Sequence, residues 1–325
     1  MIRLLLLLSL AATSAAAQVA TFSIVAYDPA AGEWGIAVAS RYFSVGSVVP
    51  WAEAGVGAIA TQANVNVGYG PQGLELLRQG LTAKQVLDRL LEEDKFEGKD
   101  GRQFAVVDSQ GNVAAYTGPH APTWAGDRQG KNWSAQGNIL AGPQVVDSMG
   151  RVFEATPGEL AEKLYAALQA GDQAGGDARG KQSASMLVVR KQGGRNINND
   201  RPIYINVDDN PQPLAELRRL LDLNLGYLYQ DRTGKFLDAG QTKQARQAAE
   251  KVVRYWPQRP DGHLNLGLLE YTLNDKPGAL GELSQARSLV DNPSSFRGRF
   301  EAAARRPAFQ LILDDKEFLK QLFGE

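Results

Sequence analysis

A single break in pattern divides this chain into two parts with different secondary structure. Before the break, from about residue 21 to residue 207, short β-like runs alternate with amphipathic helical stretches. After it, every periodic stretch is helical. The break reads Asp208-Asp209-Asn210-Pro211-Gln212-Pro213, and polar, proline-rich clusters of this kind mark loops. We therefore predict a linker over residues 208–213, between one domain over residues 18–207 and a helical domain over residues 214–325.

The β-like runs of the first part are arranged as hairpins. Turn sequences separate residues 21–27 from 34–39 and residues 104–107 from 113–116. Further β-like runs cover residues 55–62, 134–139, 183–189 and 202–207, and helical stretches cover residues 73–78, 82–93 and 158–169. A parallel sheet would require regular strand–helix–strand units. The pattern instead predicts an α+β fold with mostly antiparallel sheets covered by helices.

The helical part carries a faint internal repeat. Predicted helices cover residues 214–229, 242–255, 262–273 and 277–290. Small residues and prolines recur near the positions of the tetratricopeptide pattern, at Gly226, Ala245, Pro257, Gly267, Ala279, Ala286 and Pro293. An ordinary helical bundle agrees with the sequence equally well. A domain of either kind more often binds or scaffolds than catalyses.

The first residues have the order of a secretory signal peptide. A single arginine precedes an apolar run over residues 4–12, and small residues follow. The apolar run is too short to span a bilayer, which takes about 20 residues. Ala15 and Ala17 match the cleavage rule, so we predict a signal peptide over residues 1–17 and a periplasmic or secreted protein without a membrane span after cleavage. A short buried helix and a cut after Ala20 are the alternatives.

Composition excludes several kinds of site. The chain has no cysteine, which excludes disulfides, a thiolate nucleophile and cysteine-bound metals. Its net charge of −1 argues against nucleic acid as a partner, because phosphate binding needs a concentrated basic surface. Its only histidines are His120 and His263, so a multi-histidine metal site is excluded and a Ser-His-Asp triad would need one of these two. We predict no metal and no other cofactor.

Polar, glycine-containing segments stand at the ends of several β-like runs. Because such ends converge in many folds, we expect a pocket there. Three of these segments contain Ser40, Arg41, Gln62, Asn64, Gln136, Gly137 and Asn138, and a fourth contains Asp177, Arg179 and Gln182. We predict substrate-binding roles for Gln62, Asn64, Gln136, Gly137, Asp177, Arg179 and Gln182. The close Asp177–Arg179 spacing is equally typical of a structural ion pair.

Thr21 is a candidate nucleophile of a different kind. A threonine that becomes the chain terminus carries its own base, because the free α-amine lies within reach of its hydroxyl. No histidine is then required. The alternative is that Thr21 simply begins a strand, where β-branched residues are common.

Several runs, in this order, resemble a bacterial family. They are Thr21-Phe22-Ser23-Ile24-Val25-Ala26, Val38-Ala39-Ser40-Arg41, Ala60-Thr61-Gln62-Ala63, Gln136-Gly137-Asn138 and Gly180-Lys181-Gln182-Ser183-Ala184, and then Val207-Asp208-Asp209 followed by Pro213-Leu214-Ala215-Glu216-Leu217. Together they resemble domain of unknown function 1028 over about residues 21–221. The resemblance implies an Ntn-hydrolase-like, four-layer αββα sandwich. Some members carry a C-terminal extension assigned to peptidoglycan binding, and the stretch after Pro213 is similar to it.

The resemblance also implies roles for individual residues. In Ntn hydrolases the first residue of the mature chain attacks an amide carbonyl and its own α-amine accepts the proton. Thr21 matches the position of that nucleophile, Ser40 and Arg41 match the polar end of the first hairpin, and Asn138 would contact the substrate or oxyanion. Asp127 and Asn210 stand where relatives tend to have histidine.

These observations lead to two hypotheses of different classes. The first is an exported amidohydrolase that cleaves a C–N bond of a small amide or peptide-like substrate through Thr21. The second is a non-catalytic envelope protein whose helical domain binds peptidoglycan or an envelope protein. An internal nucleophile, Ser40 or Ser44, is a third alternative that would need a nearby base. A homo-oligomer is compatible with each of them.

Overall fold

The computed structural model describes residues 21–324 of the chain, apart from the side chains of residues 293 and 294. The predicted signal peptide, residues 1–17, lies outside the described residues, and so do the alternative cleavage positions. No helix within the described part is long and apolar enough to cross a membrane.

Ten strands form two antiparallel sheets. The strands are β1 (Thr21–Asp28), β2 (Glu33–Ser40), β3 (Pro50–Glu53), β4 (Gly57–Ala63), β5 (Arg102–Val107), β6 (Val113–Thr117), β7 (Gly126–Gly130), β8 (Trp133–Asn138), β9 (Ser183–Val189) and β10 (Ile203–Val207). One sheet has the order β10-β9-β2-β1-β8-β7 and the other has the order β3-β4-β5-β6. Strand β1 is therefore central, paired on one side with β2 and on the other with β8.

Four helices belong to the same part of the chain. They are α1 (Tyr69–Arg78), α2 (Ala83–Glu93), α3 (Gln144–Ala155) and α4 (Leu160–Gln173). The predicted N-cap Thr82 is confirmed, because its hydroxyl accepts from the Gln85 amide and the Gln85 side chain accepts from the Thr82 amide. This reciprocal pair fixes the first turn of α2.

The two sheets pack face to face, and helices cover both outer faces. Apolar side chains from both sheets, including Val25, Ile36, Ala60 and Val107, form the cluster between them. Helices α1 and α2 cover the four-stranded sheet, and α3 and α4 cover the six-stranded sheet. The prediction of a mixed α+β fold with antiparallel sheets, followed by a helical region, is confirmed.

The described part of the helical region contains six α-helices and a short 3-10 helix over Gln310–Asp314. The α-helices are α5 (Pro213–Asp238), α6 (Thr242–Tyr255), α7 (Pro260–Thr272), α8 (Lys276–Ser288), α9 (Pro293–Ala304) and α10 (Lys316–Phe323). Leu214, Leu217 and Leu221 of α5 share a cluster with Ile203 and Ile205 of β10. The predicted linker thus precedes a helix that packs on the six-stranded sheet, and the division into two domains stays a prediction.

The structure contains elements that the sequence pattern did not predict. Strands β3 and β7 and helices α3, α9 and α10 were missed, and α5 continues to Asp238 where the predicted helix ended at residue 229. Strand β7 has the polar sequence GDRQG, and only its pairing with β8 makes it a strand. Helix α3 begins after Pro143 without a side-chain cap, so the usual N-terminal signal is missing.

Candidate functional site

The layer between the sheets changes from apolar to polar along the strands. At one end it contains Val25, Ile36 and Leu187. Toward the other end the inward-facing, buried positions hold hydroxyl and amide side chains, namely Thr21, Ser23, Ser40, Gln62, Gln103, Gln136, Asn138, Ser183 and Ser185, and Ser134 continues this set beside Val25. Buried polar groups destabilise a fold unless they are hydrogen-bonded. A polar layer of this size therefore requires a connected network, and the structure contains one.

Thr21 lies at the head of this layer. It is the first residue of β1 and pairs with Ser40 of β2 and with Asn138 of β8. Its hydroxyl oxygen lies 3.1 Å from the Ser40 hydroxyl oxygen. The Thr21 side chain is 0% exposed. The central position of β1 thus brings three of the predicted catalytic residues together in a buried environment.

Gln62 and Gln136 join the two sheets through Ser23. The Ser23 hydroxyl donates to Gln62 Oε1 at 2.6 Å and accepts from Gln136 Nε2 at 2.7 Å. Gln136 Oε1 accepts in turn from the Ser134 hydroxyl at 2.8 Å. Gln62 Nε2 also lies 3.4 Å from the carbonyl oxygen of Thr21. Two predicted substrate-binding residues therefore support the strand that carries Thr21.

Gln103 of β5 is the centre of a second set of hydrogen bonds. Its Oε1 accepts from Gln62 Nε2 at 2.8 Å and from Asn138 Nδ2 at 3.0 Å. Its Nε2 donates to the carbonyl oxygen of Gly137 at 2.8 Å and to the Thr117 hydroxyl at 3.0 Å. These contacts fix the orientation of the Gln103 amide and, through it, the Asn138 amide.

Asn138 has an unsatisfied acceptor. Its side chain is 0% exposed, and its Oδ1 has no hydrogen-bond partner among the described residues. Such an atom is costly to bury, because the desolvation of the carbonyl is not compensated. Asn138 Oδ1 is therefore a buried acceptor, next to Thr21 in the β1–β8 ladder, with capacity for one more hydrogen bond.

A second group of predicted residues lies at the rim of the layer. The Asp177 carboxylate accepts from the Arg41 amide at 2.8 Å and pairs with the Arg179 guanidinium at 3.1 Å. The backbone amide of Gln182 donates to the carbonyl oxygen of Ser40 at 3.1 Å, and its side-chain Nε2 donates to the Asp209 carboxylate. These residues hold the loops that flank the end of β2. Arg41 contributes through its backbone amide and through its guanidinium, which donates to the carbonyl oxygen of Arg179, and Asp177 contributes through an ion pair.

Asn64 is not brought to this layer. It is exposed, and its side-chain nitrogen donates to the carbonyl oxygen of Gly98 at 3.4 Å. Gly137 lies within β8, where a Cβ would meet Leu140 at 2.5 Å and the carbonyl oxygen of Thr21 at 3.0 Å. The Ser44 hydroxyl donates to the Asp208 carboxylate at 2.7 Å, away from Thr21.

An ion pair anchors the strand that carries Gln103. Arg102 Nε and Asp94 Oδ2 are 3.1 Å apart, and both side chains are buried. Burial alone would raise the pKa of Asp94, but hydrogen bonds from the Phe96 amide, the Tyr69 hydroxyl and Arg102 outweigh it and lower the pKa. Burial and the Asp94 contact raise the pKa of Tyr69. Asp94 is therefore ionised and Tyr69 neutral at neutral pH.

Sequence reasoning missed several members of the network, among them Ser23, Gln103, Thr117 and Ser134. The signal was present, because polar residues recur at every second position in residues 21–23 and 134–138. In a strand this spacing places side chains on one face. Such alternation normally indicates a solvent-facing side. In this fold the four-stranded sheet covers that polar face, so the polar side chains are buried between the two sheets.

Among the described residues, no basic side chain is hydrogen-bonded to the Thr21 hydroxyl. The Ser40 hydroxyl contacts the Thr21 hydroxyl, and the side-chain amide of Gln62 contacts the Thr21 carbonyl oxygen; neither group accepts a proton readily. The base most accessible to a threonine at a strand terminus is its own α-amine. Chemistry at Thr21 would thus depend on a free N-terminus at that residue.

The comparisons with known proteins cover this same part of the chain. The model of the family of unknown function DUF1028 matches residues 21–217. No curated protein matches the chain. The crystal structure of protein SPO2555 from Silicibacter pomeroyi, assigned to the same family, is similar with a TM-score of 0.56 and 30% sequence identity, and the alignment covers 62% of this chain and 84% of that chain. Since the family model begins at Thr21 and matches more than half of the residues, this chain belongs to the DUF1028 family.

Proposed function

We propose that the protein is an exported Ntn-type amidohydrolase that cleaves a C–N bond of a small amide or peptide-like substrate through Thr21. The observation that carries the proposal is the position of Thr21. It begins a central strand, its hydroxyl is 3.1 Å from that of Ser40, and its strand partner Asn138 has an unpaired Oδ1. The arrangement of helices on both outer faces of two antiparallel sheets supports an αββα sandwich of the Ntn type.

The proposed reaction has two steps. Thr21 Oγ1 bonds to the amide carbonyl carbon while its proton passes to the α-amine. The C–N bond then breaks, the proton leaves with the amine, and an ester to Thr21 remains. Water attacks this ester, its proton returns through the α-amine to Oγ1, and a carboxylic acid is released.

Ser40 and Asn138 have distinct parts in this scheme. The Ser40 hydroxyl orients Thr21 Oγ1, which it already contacts. The Asn138 amide uses one N–H to bind Gln103, and its second N–H is the group we assign to the developing oxyanion. Its Oδ1 would accept an N–H of the α-amine, which directs the lone pair of that amine toward Oγ1.

The scheme requires a cut between Ala20 and Thr21. The cut predicted from the signal sequence, after Ala17, would leave Gln18, Val19 and Ala20 ahead of the nucleophile. Maturation must therefore include a second trimming step, self-cleavage or an unusual signal-peptidase cut.

A β-lactone probe tests the nucleophile without knowledge of the substrate. Ring opening by a reactive hydroxyl adds the whole mass of the lactone to the protein. We expect one adduct per mature chain, on Thr21, and none in Thr21→Ala. Thr61→Val is the matched control, because Thr61 is also a buried strand threonine but its hydroxyl donates to the carbonyl oxygen of Asn66. Equal labelling of Thr21→Ala and the natural protein would refute the role of Thr21.

A non-catalytic envelope protein is the second candidate. The complete burial of Thr21 favours it, because a nucleophile must be reached by its substrate. In this candidate the sandwich is a platform and the helices α5 to α10 bind peptidoglycan or an envelope protein. Sedimentation of the full chain with purified peptidoglycan sacculi tests it, and recovery only in the supernatant would count against it.

A further inference from the structure

The junction between the six-stranded sheet and the helical region contains a pocket of about 410 Å³. Its lining comes from the end of β9, from α5 and from α6, and includes Arg190, Tyr229, Arg232, Phe236, Ala248 and Lys251. It is distinct from the layer around Thr21. We propose that this pocket binds a small organic carboxylate, with the Arg232 guanidinium as the group that recognises the anion.

Two cations of the pocket already have partners. Arg190 pairs with Glu33 at 2.9 Å, and Lys251 pairs with Glu159 and also contacts the Tyr229 hydroxyl at 2.9 Å. Within each pair, the positive charge of the cation is neutralised by the carboxylate beside it. The two ion pairs hold the Tyr229 ring and its neighbours in place. Because Arg190 and Lys251 are already paired, they contribute little net positive charge to the binding of an anion.

Arg232 differs from both. It is half-buried, and among residues 21–324 no carboxylate lies within ion-pair distance of its guanidinium. Burial raises the pKa of Glu33, and the positive charges of Arg190 and Arg232 oppose that rise, so Arg232 acts on this carboxylate only at longer range. Its guanidinium stacks over the Tyr229 ring at 4.9 Å, and Lys251 Nζ lies 4.6 Å from the same ring. A guanidinium has five N–H donors in a planar fork that matches a carboxylate. The stacking orients this fork without using any donor.

The charge balance indicates one negative charge on the ligand. Arg190, Arg232 and Lys251 carry three positive charges, and the partners Glu33 and Glu159 carry two negative charges. The remaining single positive charge is matched by a monoanion, whereas a phosphate dianion would leave an excess. Phe236 and Ala248 add an apolar surface next to the cation. The ligand class is therefore a carboxylate attached to a small apolar group.

Titration calorimetry of the full chain with 4-methylpentanoate and 4-methylpentan-1-ol tests the inference. The probes share an apolar body and contain no amide, so the reaction proposed for Thr21 cannot consume them. We expect binding of the carboxylate and at least about 10-fold weaker binding of the alcohol, as for loss of one charge-assisted contact. Equal affinities, no binding of either probe, or tighter binding of inorganic phosphate would overturn the proposal.

Variants locate the site. Arg232→Gln should weaken carboxylate binding about 10-fold or more, and Arg232→Lys should weaken it less, since the charge stays but the fork is lost. Lys243→Gln, which removes an exposed positive charge from α6 outside the pocket, should leave affinity unchanged. Circular dichroism confirms that each variant is folded. Unchanged affinity in folded Arg232→Gln, or an equal loss in Lys243→Gln, would contradict the assignment.

Discussion

Thr21 and Ser40 face each other across the β1–β2 ladder, and their hydroxyl oxygens lie 3.1 Å apart in the buried layer between the sheets. The pair joins the first described residue of the sandwich to the end of its second strand. Both the proposed chemistry and the stability of this end of the fold depend on that contact.

Ser40→Ala should affect stability and labelling together. Loss of one buried hydrogen bond lowers the free energy of unfolding by about 1 kcal/mol. The rate of β-lactone labelling at Thr21 should fall about 10-fold, because Oγ1 loses the group that orients it. Urea unfolding and time-resolved intact mass measure the two effects. An unchanged labelling rate would assign Ser40 a structural role only.

Gln103→Leu should be among the most destabilising single substitutions in the sandwich. It removes one hydrogen bond each from Gln62 Nε2, Asn138 Nδ2 and the carbonyl oxygen of Gly137. Each buried unsatisfied group costs about 1–3 kcal/mol, so we expect a loss of roughly 3 kcal/mol or more. The exposed Gln129→Leu is the control and should change the urea midpoint little. Similar midpoints for both variants would contradict the network.

The Asp94–Arg102 pair should make the free energy of unfolding depend on pH in the acid range. The pKa of Asp94 is lowered in the folded protein, so the pair contributes stability at pH values above the unfolded pKa of about 3.9. That contribution is lost as the pH falls through the folded pKa. Asp94→Asn should be less stable at pH 7 and should lose less stability between pH 7 and acid. Urea midpoints across this range provide the measurement, and parallel pH profiles would argue against the prediction.

Two glycines of α5 should respond in opposite directions. A Cβ at Gly226 would lie 2.1 Å from the Trp256 ring, whereas nothing lies within 4 Å of one at Gly234. Gly226→Ala should lower stability by about 1–3 kcal/mol through overpacking between α5 and α6. Gly234→Ala should raise it by about 0.5–1 kcal/mol, because alanine favours a helix interior. Thermal unfolding of both variants checks the sign, and a stable Gly226→Ala would show that the two helices pack less closely.

The sequence pattern correctly predicted those elements whose local turn, capping and alternation signals match the strand or helix that they form in the structure. Residues 21–27 and 34–39 form the predicted hairpin, and Thr82 caps the predicted helix. Pattern could not predict that β1 lies between β2 and β8, because that pairing joins residues far apart in the chain. For the same reason it grouped Asn64 with the pocket and missed Gln103. The neighbours of a residue across a sheet are set by tertiary pairing, which hydrophobic periodicity does not encode.

The proposed role of Thr21 depends above all on the N-terminal residue of the protein isolated after export. Intact mass and N-terminal peptide sequencing give it in one experiment, with Thr21→Ala as the comparison. We expect a mature chain that begins at Thr21 and reacts with a β-lactone at that residue. A mature chain that begins at Gln18, with the same labelling in Thr21→Ala as in the natural protein, would contradict this expectation.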